Sequence, residues 1–244
     1  MTRPFVDLHL RINTKDQPVT QRLIIKAAQM GYHFISFPFT NVVHETEFVA
    51  LKAACTQAGI DFVLRADFKP RTQEDLTLFL RKFRRSFEVI CIVCDSKEVA
   101  RQAAKDRRVD LLNFPNLDYH KRFFDRAEAE LASCSLAALE VDIKPLLVME
   151  GPARVRLLSC LRREVAIALE FHVPVVVSSG VGEEVLMRLP RDLASLGYLF
   201  GLNASEALDA VSTNPAVIVL RNREKLSSRF IAPGISIVKE GKPK

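Results

Sequence analysis

The chain has 244 residues, 48% of them hydrophobic and 26% charged, with a formal net charge of +6. This composition can bury a substantial core, and no run approaches the roughly 18 uninterrupted apolar residues of a membrane span. The N-terminal segment MTRPFVDLHL lacks the apolar core of a secretory signal peptide, so we expect a cytoplasmic protein. The basic charge fits a polyanionic partner and fits ordinary solubility equally well.

Short runs rich in Val, Ile, Phe and Leu alternate with helical periodicity along the chain, which is typical of parallel β/α units. The segment 76–83 places apolar residues at i, i+3, i+4 and i+7, which predicts one helix face. Gly31 and Gly59 stand where two helices should end before the next strand. We predict one domain over residues 1–244, an α/β TIM-like barrel of seven or eight mainly parallel strands, with a C-terminal tail from about residue 230. The strands are predicted near residues 4–12, 33–39, 61–68, 87–94, 109–114, 137–143, 174–179 and 215–220.

The five cysteines form no disulfide-like framework, which is typical of a reducing compartment. Cys91 and Cys94 make a C-x-x-C, but they lie in the apolar run VICIVC, which predicts a strand. Side chains three residues apart on a strand point to opposite faces. We therefore expect both thiols to pack, and neither to hold zinc nor to form a redox pair.

Alternation along three strands places polar side chains together inside the predicted barrel. Asp7 and His9 should share one face, as should Arg65 with Asp67 and Glu140 with Asp142. Asn113, Ser178 and Ser179 come near strand ends, where functional groups of this fold gather. The cluster is either the remnant of a catalytic centre or a hydrogen-bonded network in which Arg65 compensates buried carboxylates. We favour the network, because unpaired buried charge is costly.

Two catalytic hypotheses find little support. A metallophosphoesterase of the polymerase-and-histidinol-phosphatase type should open with His-x-His, where this chain has Asp7-Leu8-His9. A Schiff-base enzyme needs a lysine near a strand end, and Lys69 and Lys144 qualify by position alone. The stretch Ser178–Gly182 offers hydroxyls and backbone N–H groups where barrels often hold phosphate. We expect no catalytic residue, metal ion or cofactor in this chain. The other histidines fall mostly in strand starts, helices or loops: His33, His44, His120 and His172.

Basic clusters recur along the chain. Four cations surround Phe83 at the end of one helix, and a second group ends the next helix, so both should lie on the same rim of the barrel. Lys121 and Arg122 stand between the aromatic residues Tyr119, Phe123 and Phe124. Such clusters form either a solvated surface or a phosphate-binding one. The first two groups are Arg81, Lys82, Arg84 and Arg85, then Lys105, Arg107 and Arg108; further charge follows at Arg154, Arg156, Arg162 and Arg163.

An ordered set of motifs resembles one family over nearly the whole chain. It runs from Phe5-Val6-Asp7-Leu8-His9 through the Leu139-Glu140 strand, the paired serines before Gly180, and the helix start at Arg188–Asp192. Ser212-Thr213-Asn214-Pro215 and Pro233-Gly234-Ile235 complete it. The set is similar to archaeal ribonuclease P protein component 3, the relative of the eukaryotic 30-kilodalton subunit.

The resemblance implies a protein subunit of ribonuclease P without catalysis of its own. In that family the RNA subunit, with bound magnesium, removes the 5′ leader of precursor tRNA, while the barrel pairs with a small ferredoxin-like subunit and other ribonuclease P proteins. Two alternatives stay open: a barrel metallophosphoesterase with an unusual metal site, and a structural assembly protein whose charge is incidental. The expected RNA contacts are Arg65, Arg81, Lys82, Arg84, Arg85, Arg107, Arg108, Lys121, Arg122, Ser178 and Ser179.

Overall fold

The computed structural model describes residues 3–12, 16–39, 45–118, 121–232 and 235–236. Seven strands hydrogen-bond in sequence order, and every neighbouring pair is parallel. The predicted TIM-like α/β barrel is confirmed. The strands are β1 Val6–Asp7, β2 Phe34–Phe39, β3 Asp61–Phe68, β4 Val89–Val93, β5 Leu111–Asn113, β6 Ala138–Asp142 and β7 Val175–Ser178.

Ten helices surround or close this sheet within the described ranges. None of them is both long and apolar enough to cross a lipid bilayer. They are α1 Gln17–Gln29, α2 Glu45–Gln57, α3 Gln73–Phe83, α4 Lys97–Lys105, α5 Arg126–Ser135, α6 Lys144–Val148, α7 Gly151–Glu170, α8 Pro190–Leu196, α9 Ala204–Ala210 and α10 Thr213–Leu226. A two-stranded antiparallel ribbon follows, β8 Phe230–Ala232 and β9 Ile235–Ser236.

Backbone hydrogen bonds just beyond the strand ends bring β7 back to β1. The amide of Gly180 donates to the His9 carbonyl at 2.8 Å, and the amide of Arg11 donates to the Val181 carbonyl at 2.7 Å. A Cβ atom at Gly182 would lie 2.5 Å from the Arg11 carbonyl oxygen, so only glycine permits this close approach. The seven strands therefore form a nearly closed barrel whose last contact is made by loop backbone.

The predicted eighth strand at 215–220 is wrong, because this segment lies inside helix α10. Its β-branched run resembles a buried strand, but burial follows a helical period: Ala216, Ile218 and Val219 are buried, whereas Val217 is 54% exposed. The buried face packs against residues of the barrel interior, including Val63. Helix α10 therefore closes the end of the barrel at which the strands begin, and we call this the closed end.

Two smaller predictions are confirmed. Gly31 and Gly59 have φ angles of +88° and +74°, as expected for glycines that follow the ends of α1 and α2. Cys91 lies in the cluster inside the barrel, and Cys94 lies in the layer between sheet and helices. The two thiols of the C-x-x-C therefore point to opposite faces of β4.

Candidate functional site

The open end of the barrel, where the strands finish, is organised around Arg65. We call this region the mouth. The Arg65 side chain is fully buried, and its guanidinium donates to both oxygens of Glu140, at 2.5 and 2.7 Å. It also donates to both oxygens of Asp67, at 2.5 and 3.2 Å, and to the Leu8 carbonyl at 2.8 Å. The predicted network in which Arg65 compensates buried carboxylates is present.

A second part of the network surrounds His9 and Asp142. His9 Nδ1 lies 2.8 Å from Asp142 Oδ1. The amide of Asn113 bridges the two acids of β6, donating to Glu140 at 3.0 Å and to Asp142 at 3.2 Å. Ser178 donates to Glu140 at 2.8 Å. Glu140 and Asp142 thus meet fixed donors, with Arg65 as the buried cation beside them.

The same contacts set the pKa values of the mouth. Burial alone would raise the pKa of Glu140, but the adjacent Arg65 guanidinium outweighs burial and lowers it well below its usual range. Burial would lower the pKa of His9, yet the neighbouring Asp142 carboxylate outweighs that effect and raises it. The mouth therefore holds charged groups in place and offers no neutral carboxyl for acid catalysis by Glu140.

Asp7 does not share the face of His9, so that prediction is wrong. Strand β1 ends at Asp7, and its Oδ1 accepts the backbone N–H groups of His9 and Ser179, both at 3.1 Å. A carboxylate that accepts from the amide two residues on turns the chain out of the strand. Burial raises the pKa of Asp7. Asp7 thus stabilises the turn and joins β1 to the loop after β7.

Three backbone donors of the loop after β7 that were expected to face a phosphate are already used within the chain. The N–H groups of Ser179, Gly180 and Val181 donate to Asp7, to the His9 carbonyl and to Ser179 Oγ, respectively. Both serine side chains are buried as well, and the Ser179 hydroxyl donates to the His9 carbonyl at 3.3 Å. Contact of RNA with Ser178 and Ser179 therefore has no geometric support.

Arg122 is buried and forms an internal ion pair, although it was expected to contact RNA. Its guanidinium forms a buried ion pair with Glu164 of α7, at 2.7 and 2.5 Å, and it also donates to the carbonyls of Phe114 and Asn116. This pair holds the loop after β5 against α7. Lys121 beside it is exposed, and Tyr119 lies outside the described residues. Arg65, with no exposed surface, is likewise unavailable to RNA.

The remaining predicted cations gather at the closed end. Helix α3 begins with a reciprocal cap between Thr72 and Asp75 and ends in basic residues, so its charges match its dipole. Arg84 lies 3.5 Å from Asp110, which stands just before β5, so the ends of α3 and α4 meet at one rim as predicted. Arg108 is paired with Asp106 at 2.7 Å. The cations here that are exposed and without an ion pair among the described residues are Arg81, Lys82, Arg85, Lys105 and Arg107.

Helix α10 adds cations to this rim that the sequence analysis missed. Arg221 pairs with Asp110 at 3.0 Å, and Lys225 is exposed one turn later. Partial burial and the nearby guanidinium groups of Arg221 and Arg84 lower the pKa of Lys225, which indicates crowded positive charge. The basic face comprises Arg81, Lys82, Arg85, Lys105, Arg107 and Lys225. Correct assignment of 213–226 as a helix would have placed Lys225 there.

A family model described as RNase P subunit p30 matches residues 4–227. The chain belongs to this family. Ribonuclease P protein component 3 of Methanosarcina barkeri is 35% identical over 160 residues, which cover 66% of each chain. The protein of the same name from Methanococcoides burtonii is 26% identical over 96% of this chain and 94% of its own length.

Structural comparison agrees with the p30 assignment. A chain in the cryo-EM structure of archaeal Ribonuclease P with mature tRNA superposes with a TM-score of 0.81 and 22% identity, covering 98% of this chain and 100% of that one. At this identity the match establishes the fold. The alignment with the M. barkeri relative spans just under two thirds of that protein.

This p30 member also contains a group of possible metal ligands in its mouth. His9, Glu140 and Asp142 each offer one ligand atom, and the three atoms lie within 4.8 Å of one another. Strand alternation predicted that Glu140 and Asp142 share a face, but it gave no distance to His9. Both Glu140 oxygens already accept from Arg65, so an added ion would compete with a guanidinium.

The other candidate catalytic side chains are dispersed. His33 accepts from the Phe5 amide at the closed end, and His172 lies just past the end of α7 with a φ of +56°. His44 and His120 lie outside the described residues. Lys69 pairs with Asp95 at 2.8 Å, and Lys144 lies 3.7 Å from Glu183. These lysines are paired with surface carboxylates, which does not fit the desolvated setting of a Schiff-base lysine.

Proposed function

We propose that this chain is a protein subunit of ribonuclease P and that its basic face binds the RNA of that enzyme. Membership of the p30 family supports the proposal, as do the names of the archaeal relatives. The assembly would remove the 5′ leader of precursor tRNA, with the chemistry performed by the RNA subunit and its magnesium ions. The chain itself would contribute no catalytic residue.

The observation that carries the proposal is the distribution of cations. In the mouth, Arg65 is surrounded by carboxylates and has no exposed surface. At the closed end, three elements, α3, α4 and α10, present exposed cations, and the ion pairs of the described residues leave those of the basic face unmatched. Unmatched cations neutralise the phosphates that crowd together in folded RNA, and they release counterions on binding.

Assembly with other proteins is part of the same proposal. A small ferredoxin-like subunit and further ribonuclease P proteins would bind surfaces outside the basic face, and precursor tRNA would be engaged through the complex. Exposed apolar side chains at several places, such as Val155 at 67% and Val185 at 77%, offer area for protein contacts. The RNA contacts proposed from the set expected in the sequence are Arg81, Lys82, Arg85 and Arg107, with the partly exposed Arg84 and Arg108 beside them. Lys121, near Asp95, lies outside the basic face and is not proposed as a contact.

Reconstitution tests the proposal at the level of the assembly. Ribonuclease P RNA and its protein subunits are combined with or without this chain, and precursor-tRNA cleavage is measured at low and at high magnesium. A subunit that lowers repulsion between phosphates should increase cleavage most when magnesium is scarce, because magnesium at high concentration performs the same neutralisation. Equal cleavage with and without the chain at every magnesium concentration would contradict the proposal.

A charge-matched pair of variants tests the basic face itself. R81A/K82A/R85A should weaken binding to the RNA and make the dependence of log K on log salt shallower by about 2 to 3, at about 0.7 to 0.9 for each lost phosphate contact. The control, R22A/K69A/R126A, removes the same charge from residues that already have carboxylate partners. Similar losses in both variants would indicate an effect of net charge, and the basic face would not be the binding surface.

A further inference from the structure

The mouth contains a cation that belongs to the chain. Four N–O distances of 2.5 to 3.2 Å surround the Arg65 guanidinium with the carboxylates of Asp67 and Glu140. The side chain has no exposed surface, and the Glu140 side chain has none either. Such an arrangement is typical of a buried charge fully matched by hydrogen bonds.

The acids of the mouth require a positive charge among them. Asp67, Glu140 and Asp142 converge with His9, and their side chains are 0 to 12% exposed. Carboxylates at such short distances repel each other and lose hydration. They therefore stay ionised only beside a cation. Arg11 lies at the rim, 3.9 Å from Asp142 with a side chain 56% exposed, whereas Arg65 is at the centre.

The donor atoms around this centre also have the types and spacing of metal ligands. One atom each from His9, Glu140 and Asp142 lie within 4.8 Å of one another. Ligands about 2.1 Å from one ion lie about 3.0 to 3.6 Å apart at angles of 90° to 120°, so these atoms would have to approach one another by about 1 to 2 Å once the guanidinium has gone. The carboxylate of Asp67 lies 3.7 Å from His9 Nε2 and offers a possible fourth ligand. Imidazole with carboxylates suits first-row divalent ions such as Mn²⁺.

We propose that the Arg65 guanidinium occupies the place of a divalent metal ion, and that the mouth is a latent site for such an ion once the guanidinium is removed. The Arg65 side chain then has two effects. It holds the strand ends together through Glu140 and Asp67. It also keeps these ligands from binding a metal ion, which could otherwise activate water there. This inference is independent of ribonuclease P activity.

The test compares Mn²⁺ binding by the wild-type chain, Arg65→Ala and Arg65→Lys. Mn²⁺ is chosen because the five free cysteines would bind softer metals. Arg65→Ala should bind one Mn²⁺, detected by electron paramagnetic resonance, and at a hundredfold excess over Kd its thermal midpoint should rise by about 5 to 10 °C. The wild type and Arg65→Lys, which retain the internal cation, should show neither effect.

A second variant identifies the ligands, and a refolding assay covers a poorly folded Arg65→Ala. R65A/E140Q removes one ligand and should bind at least tenfold more weakly. Should Arg65→Ala not fold by itself, refolding with Mn²⁺ should restore the native circular dichroism spectrum. Any of three results overturns the proposal. The wild type binds Mn²⁺ in the mouth, or Arg65→Ala folds but does not bind Mn²⁺. The third is that Arg65→Ala refolds neither with nor without Mn²⁺.

Discussion

The two ends of the barrel use arginine in opposite ways. In the mouth, Arg65 is enclosed by carboxylates and contributes no surface charge. At the closed end, the carboxylate of Asp110 is shared by Arg84 and Arg221, and Lys225 lies beside them with a lowered pKa. One end is therefore balanced, while the other presents an excess of positive charge to solvent.

This difference shows that the role of an arginine is decided by the groups it pairs with. The count of arginines in the sequence does not decide it. A barrel of this type usually places function at the carboxyl ends of its strands. In this chain the carboxylates at those ends are matched by internal ion pairs, and the cations of the basic face, which have no ion pair among the described residues, lie at the other end. Substitutions at the two ends should consequently affect different properties, namely folding at the mouth and RNA affinity at the basic face.

The largest effect is expected from Glu140→Leu, which leaves Arg65 buried without its main partner. Breaking a buried pair by removing one member costs about 3 to 5 kcal/mol of unfolding free energy. Urea denaturation would measure it. The double variant R65M/E140L removes both charges and should recover part of the loss, because an apolar pair of similar volume tolerates burial, although Asp67 then loses its guanidinium partner. Failure of the double variant to recover would mean that the mouth depends on its charges for more than mutual compensation.

A second buried glutamate, Glu128, should make the stability of the protein depend on pH. Glu128 lies in the first turn of α5, near Arg101 of α4, with neither oxygen hydrogen-bonded, and burial raises its pKa to about 8. Because the folded pKa exceeds the unfolded value of 4.5, its contribution to stability is complete below pH 4.5 and is lost as pH rises to about 8.

Glu128→Gln should remove this dependence, since the amide does not ionise. Its thermal midpoint should change less than that of the wild type between pH 5 and pH 8. At pH 8 the variant should be the more stable of the two by about 1 to 3 kcal/mol, because the folded wild type must keep Glu128 protonated or bury its charge. Parallel curves for the two proteins across this range would show that Glu128 remains ionised through its contact with Arg101, 3.7 Å away.

The smallest effect is expected from Lys225→Ala at the basic face. Its loss should make the salt dependence of RNA binding shallower by about 0.7 to 0.9, the contribution of one phosphate contact, with the unfolding free energy unchanged within about 0.5 kcal/mol. Binding titrations at several salt concentrations measure the slope. Lys26→Ala, on α1, serves as a single-charge control. If Lys26→Ala reduced the salt dependence of RNA binding more than Lys225→Ala did, the RNA would bind elsewhere.

Periodicity in the sequence was sufficient for much of the fold. The apolar runs located all seven barrel strands, and alternation placed Arg65 with Asp67 and Glu140 with Asp142. It failed at α10, where β-branched residues follow a helical burial pattern that only the barrel interior reveals. Propensity is a weak guide when a helix is stabilised by tertiary packing.

The site was less accessible to sequence reasoning, because charge clusters do not reveal their partners. Arg122 and Glu164 are 42 residues apart, and nothing local to Arg122 indicates that this cation is buried. The serines at the end of β7 suggested a phosphate loop, yet Ser178 donates to Glu140 and Ser179 donates to Asp7 and the His9 carbonyl. By contrast, Arg81 and Arg85 were correctly placed at the rim, since their position follows from the end of a helix before a strand.

Helix α10 has a consequence for when the protein becomes competent during synthesis. The helix follows all seven barrel strands in the chain, and its buried face packs against the interior of a barrel whose first strand begins at Val6. The interior therefore stays open to water until the ribosome has released residues 213–226, and Lys225 reaches α3 and α4 at the same step. The basic face is therefore complete only once residues 213–226 have joined the seven strands that precede them in the chain.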